Sequence, residues 1–220
     1  MKFVEAWTAS RSERQTLLRR ALLPVVAAHA LACTAPPGEI GASDEPTLVG
    51  VYGEAPAAVG GVPSVVTLTQ RGEEPPAPVS ATLDQIGLQF SPAQLIVPTG
   101  STVRFTNSES LPHNVRLTRV GETAPFFDRD TDPDESIEVV FDASGGIDVA
   151  CTAHPGMRAF IYVSGATHSV FADRDGAFSF AGMTEGYYDF LMWSSDEALR
   201  LGGSVRIGTA PFEVVFPPGG

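Results

Sequence analysis

Four side chains in this sequence could together do chemistry: His113, Cys151, His154 and Met157. Cys151, His154 and Met157 follow one another at three-residue intervals, and Pro155-Gly156 between them lets a short loop turn tightly enough to return its side chains to one point. A thiolate, two imidazoles and a thioether suit a metal ion that cycles between two oxidation states with little rearrangement, which is the demand copper makes. Zinc is the inorganic rival, but structural zinc sites use more thiolates, in paired motifs. Taken singly, Cys151 and Met157 are ordinary buried residues; the set of four is what carries the reading.

The elements needed to position such a set are strands. Ile147–Ala150 leads into Cys151, and Ala159–Val163 begins just after Met157. Leu95–Val97 runs through the turn Pro98-Thr99-Gly100 into Thr102–Thr106, where Val103 and Phe105 share one face, and Ser136–Phe141 follows. Short strands at close spacing, with 22 Gly and 18 Pro in the chain, indicate an all-β sandwich or barrel.

On these residues the chain resembles the cupredoxins. Cys-x-x-His-x-x-Met closing a strand looks like the ligand loop of the small members, and its short length is most similar to the amicyanin and plastocyanin-like group. The segment Asn107–Val115 resembles the one that carries that family's first histidine, and the likeness extends over about residues 80–164. It implies a Greek-key β-sandwich binding one type 1 copper through His113, Cys151, His154 and Met157. It further implies that Asn114 and Thr152, beside two of the ligands, tie the two ligand segments together by hydrogen bonding. The family's function would be single-electron transfer between redox partners. Copper carriage or storage could use the same residues, and a structural or carbohydrate-interaction module with a vestigial site is the remaining alternative.

Histidine supply limits the copper chemistry. Beyond residue 32 there are only His113, His154 and His168, too few for a trinuclear oxidase cluster within one chain, and His168 reads as a surface residue. There is no nucleophile with a base beside it and no phosphate loop, so the chain does not read as an enzyme.

The first 32 residues have a basic region followed by the apolar run Ala21–Ala32, too short to cross a bilayer comfortably; this is the pattern of an export signal, helical or disordered in itself. Ala30-Leu31-Ala32-Cys33 resembles the lipobox of bacterial lipoproteins, so either lipidation at Cys33 or simple cleavage nearby is expected, with the body periplasmic or held at the membrane only through that anchor. Residues 33–46 read as a flexible linker. Without residues 1–32 the chain keeps nine arginines, no lysine and 24 acidic residues, a formal charge of −15. That charge repels nucleic acid and anionic lipid and favours a basic redox protein as partner.

A second motif lies downstream. Asp173-Arg174-Asp175-Gly176 before Ala177–Phe180, then Glu185–Phe190, resembles the carboxypeptidase-regulatory-like, transthyretin-like sandwich, a structural signature that brings no catalytic residue. Its opening strands are missing after Gly165, and Thr47–Thr69 resembles them. The expected organisation is therefore discontinuous: residues 47–72 with 165–220 as a second small β-sandwich, and 80–164 as the copper domain within it. Asp173–Gly176 reads as a hairpin turn, and the acidic run Asp128–Glu135 as a solvated loop or a docking patch for a basic partner.

Overall fold

The computed structural model describes residues 48–214, which form sixteen β-strands and one short 3₁₀ turn. The expected export segment, Cys33 and the expected linker to residue 46 lie outside the described residues. In chain order the strands are β1 (Val49–Glu54), β2 (Val65–Gln70), β3 (Ser80–Ile86), β4 (Gln89–Ser91), β5 (Gln94–Pro98), β6 (Ser101–Asn107), β7 (His113–Arg119), β8 (Phe127–Thr131), β9 (Ser136–Phe141), β10 (Gly145–Ala150), β11 (Arg158–Ser164), β12 (His168–Phe171), β13 (Ala177–Met183), β14 (Gly186–Trp193), β15 (Leu201–Ile207) and β16 (Phe212–Val214).

Strands β3 to β11 make one sandwich, with sheets ordered β4-β3-β6-β9 and β5-β11-β10-β7-β8. Alternation drives it. In β6, Ser101, Val103, Phe105 and Asn107 are buried while Thr102, Arg104 and Thr106 are not, so one face joins a core with Leu83, Leu117, Ile137, Ile147, Val149 and Ile161. The remaining strands pair across a long gap in sequence. β1 runs antiparallel to β13 with Val51 opposite Phe180, and β2 runs antiparallel to β14 with Leu68 opposite Phe190. Their sheets, β13-β1-β16 and β12-β2-β14-β15, enclose a separate core of Val51, Leu68, Phe180, Tyr188, Met192 and Ile207.

The strand where the two sandwiches meet does not alternate. From Ala159 to Ser164 every residue of β11 is buried, the signature of a strand covered on both faces. Ala159, Ile161 and Val163 face the first core, and Phe160 and Tyr162 join a third cluster with Val65 and Trp193. Phe160 and Trp193 stack with ring centroids 5.4 Å apart and planes 23° apart. Gly146 is required beneath that stack, because a Cβ there would lie 2.5 Å from the indole and 2.8 Å from the Phe160 ring. Both sandwiches belong to one compact unit.

The structure corrects the sequence reading at several places. β3, β4, β7 and β8 were not expected. Asp128 and Asp130 sit on β8, an edge strand hydrogen-bonded to β7, and only the residues after Thr131 form the acidic loop. The alternating Asp-Arg-Asp carries no apolar face, and β8 is held by its ladder to β7 and by Phe127, which packs against the core. Asp173–Gly176 is a tight turn, with Asp173 Oδ1 accepting the N–H groups of Asp175 and Ala177 at 2.9 Å. It is not a hairpin, because β12 and β13 belong to different sheets and the turn carries the chain from one to the other. Gly176 has φ 105° and abuts the Ala55 carbonyl, so no side chain fits there.

Candidate metal centre

The centre lies at one end of the five-stranded sheet. β10 pairs antiparallel with both β7 and β11, placing Ala150 opposite Arg116 and Arg158. Continued past the end of β10, that register sets Cys151 across from Val115 and diagonally from His113, the first residue of β7, whose Nδ1 its sulfur approaches. The return from Cys151 to β11 is closed by two backbone hydrogen bonds, Cys151 N–H to the Met157 carbonyl at 3.1 Å and Met157 N–H to the His154 carbonyl at 3.2 Å. Gly156, at φ 103°, supplies the left-handed residue that this tight loop needs.

Three of the four expected donors converge. His113 Nδ1 is 3.9 Å from Cys151 Sγ, His154 Nδ1 is 3.8 Å from the same sulfur, and the two Nδ1 atoms are 3.0 Å apart. A point equidistant from the three atoms lies about 2.1 Å from each, close to the bond lengths first-row metals make to imidazole and thiolate. They form the one such cluster of His, Cys, Asp or Glu donors among the described residues. Two imidazole nitrogens and a thiol sulfur converging on one point are a donor set for a soft cation, and the set fits a type 1 copper site. Met157 is 2% exposed and packs in the same cluster as Cys151, at the end of the loop from which it would supply a thioether. His113 and Cys151 are buried and His154 is half-buried, so among the candidate ligands one imidazole edge alone reaches toward solvent.

The surrounding hydrogen bonds hold the ligands in advance. Asn114 Nδ2 donates to Asp128 Oδ1 at 2.9 Å and to Asp130 Oδ1 at 3.1 Å, and Asn114 Oδ1 faces the Thr152 N–H at 3.4 Å. The pair expected to join the two ligand segments is thus adjacent, with Asn114 also clamping two carboxylates of β8. Sequence reasoning missed Glu109. Its Oε2 accepts from His113 Nε2 at 3.2 Å, leaving Nδ1 free to face the thiol, and its Oε1 accepts the Leu88 N–H at 2.6 Å. The Leu88 N–H, and then the hydrogen bond and charge of His113, hold the Glu109 carboxyl below the usual range against the opposing cost of desolvation. A carboxylate four residues before a candidate ligand was the available signal. Its meaning depended on the loop bending back.

His168 lies away from this centre, on β12 of the other sandwich, where its Nδ1 contacts Thr167 Oγ1 at 2.9 Å.

Residues 77–164 match the family of copper binding proteins described as plastocyanin/azurin. Amicyanin-alpha of Methylorubrum extorquens is 31% identical over 93 residues, covering 40% of this chain and 75% of that protein. Amicyanin of Paracoccus versutus is 30% identical over 103 residues, covering 44% and 77%. Among solved structures, a purple cupredoxin from Nitrosopumilus maritimus is 28% identical and covers 38% of this chain and 99% of that one, with a TM-score of 0.35. The chain belongs to the plastocyanin/azurin family of copper binding proteins. Its cofactor is copper, and its β-sandwich is of the cupredoxin kind.

Proposed function

We propose that this protein is an exported electron carrier in which His113, Cys151, His154 and Met157 hold one type 1 copper. The convergence of the His113, Cys151 and His154 donor atoms carries the reading. Bound copper supplies a one-electron couple; the chain supplies a site that need not rearrange when the charge changes. Glu109 fixes the orientation of His113, the Cys151–Met157 backbone bond fixes the loop, and burial of His113, Cys151 and Met157 keeps water out. His154 is the port. Exposed Leu111, Pro112, Pro155 and Gly156 on the two ligand segments give a partner an uncharged surface beside it.

Export, a lipid anchor at Cys33 and a basic redox partner belong to the same reading and rest on the leader and the charge of −15. The second sandwich is read as a carboxypeptidase-regulatory-like module into which the copper domain is inserted. In support, the chain leaves at Gln70 and returns at Thr167, where Gln70 N–H donates to Thr167 Oγ1 at 2.9 Å and Thr167 Oγ1 donates to the Leu68 carbonyl at 2.8 Å.

The test is the visible spectrum of the copper-loaded chain. An intense thiolate-to-copper absorption that disappears in Cys151→Ser, with reduction faster than metal exchange, is expected. Rapid exchange of copper with a chelator and slow reduction would instead make the protein a copper carrier.

A further inference from the structure

A cleft of about 320 Å³ opens where the two sandwiches meet, at the end of the copper domain near the start of β10. Its volume is at the lower end of the range for small-molecule sites. Arg119, Arg200, Tyr162 and Trp193 line it, with Glu122 and Glu197 also on its wall. Both arginines are held by aromatic faces, Arg119 at 5.0 Å from the Phe126 ring centre and Arg200 at 5.3 Å from that of Trp193. Arg200 Nε donates to the Ser194 carbonyl at 2.9 Å and Nη1 to Glu197 at 3.1 Å. Arg119 has no carboxylate partner among the described residues, although acidic side chains greatly outnumber basic ones in this chain.

Tyr162 is the second observation. It is 3% exposed and its hydroxyl has no hydrogen-bond partner among the described residues, yet no fully enclosed side-chain oxygen or nitrogen among them is unpaired. The hydroxyl therefore keeps its access to solvent, and the side chain lines this cleft. Burial raises its pKa to about 12, against the opposing pull of the Arg200 charge, so at neutral pH it is a proton donor.

We propose that this cleft binds a small monocarboxylate with an apolar body, its carboxylate received by Arg119, Arg200 and the Tyr162 hydroxyl and its body lying on exposed Leu191, beside the edge of Trp193 that lines the cleft. Two guanidinium groups and a phenol supply charge-assisted and neutral donors for two oxygens. The nearby Glu122 and Glu197, and the negative charge of the whole chain, oppose a dianion such as phosphate.

The site has its own reporter. The chain contains two tryptophans, so in the full-length Trp7→Phe protein Trp193 alone emits. With copper bound and reduced, titration with hexanoate at constant ionic strength should change that emission saturably in the millimolar range, and 1-hexanol should not. Arg119→Met should weaken binding about tenfold and Tyr162→Phe by a smaller factor of about three, both with the copper absorption of the oxidised protein intact. A response that does not saturate, an equal response to 1-hexanol, or equal affinity in Arg119→Met would overturn the proposal. None of these outcomes depends on how copper itself is used.

Discussion

His113 and His154 present their Nδ1 atoms 3.0 Å apart, although one is sealed from solvent at the start of a strand and the other, 41 residues later, is half-buried on an otherwise exposed turn. The asymmetry in burial predicts an asymmetry in repair. In His154→Gly, added imidazole should enter the vacated place and restore the copper absorption. In His113→Gly, at a position 1% exposed, it should fail or require far higher concentrations. Spectra taken with increasing imidazole decide it, and equal rescue of both would contradict the assignment of His154 as the port.

Glu109 holds an ionised carboxylate 3.2 Å from Nε2 of His113, the nitrogen on the far side of the ring from Cys151. That charge favours the more positive oxidation state of the metal, so Glu109→Gln, which keeps a hydrogen-bond acceptor, should raise the reduction potential. A change of tens of millivolts is expected, where about 59 mV corresponds to a tenfold change for one electron. Voltammetry of the two proteins measures it, and an unchanged potential would leave Glu109 with only an orienting role.

At the junction, Gly146→Ala should destabilise the fold by about 1–3 kcal/mol, because the new methyl overlaps the Trp193 and Phe160 rings. The loss should be smaller in a Trp193→Leu background, where the indole is gone; denaturant melts of the four proteins give the coupling. Strict additivity would mean that the contact is not what the glycine serves.

Tyr162 gives a pH signature. Its phenol is raised to about 12 by burial, so the stability that its neutral form contributes is complete below the ordinary phenol range near 10 and is lost as pH rises through the folded value. Stability should therefore decline between about pH 10 and pH 12, and Tyr162→Phe should flatten that decline. Denaturant midpoints across the alkaline range test this.

Much of the copper site was legible because it is local. Cys151, His154 and Met157 share one seven-residue loop, and a loop that short between two recognisable strands leaves few ways to arrange its side chains. Ala159–Val163 was legible as a strand, and its burial on both faces came from the structure, in keeping with a run that lacks the alternation of a strand exposed on one side. Strand β8 was not legible. Phe127-Asp128-Arg129-Asp130-Thr131 has the composition of a loop, and it is a strand because β7 offers it a ladder and Asn114 accommodates two of its carboxylates. β3 was missed in the same way, since it lies parallel to β6 and its pairing is set by a neighbour three strands later.

By itself, the sequence determined the donor types, their spacing on the loop and the β character of the chain, since these follow from side-chain chemistry and short-range periodicity. The tertiary structure decided what depends on distant segments meeting. It brought Glu109 to His113 by bending the loop between β6 and β7 toward Leu88, set Trp193 over Gly146, and opened the Tyr162 hydroxyl into a cleft between two sandwiches. Those contacts arise from how folded strands stack on one another, and no local pattern encodes them.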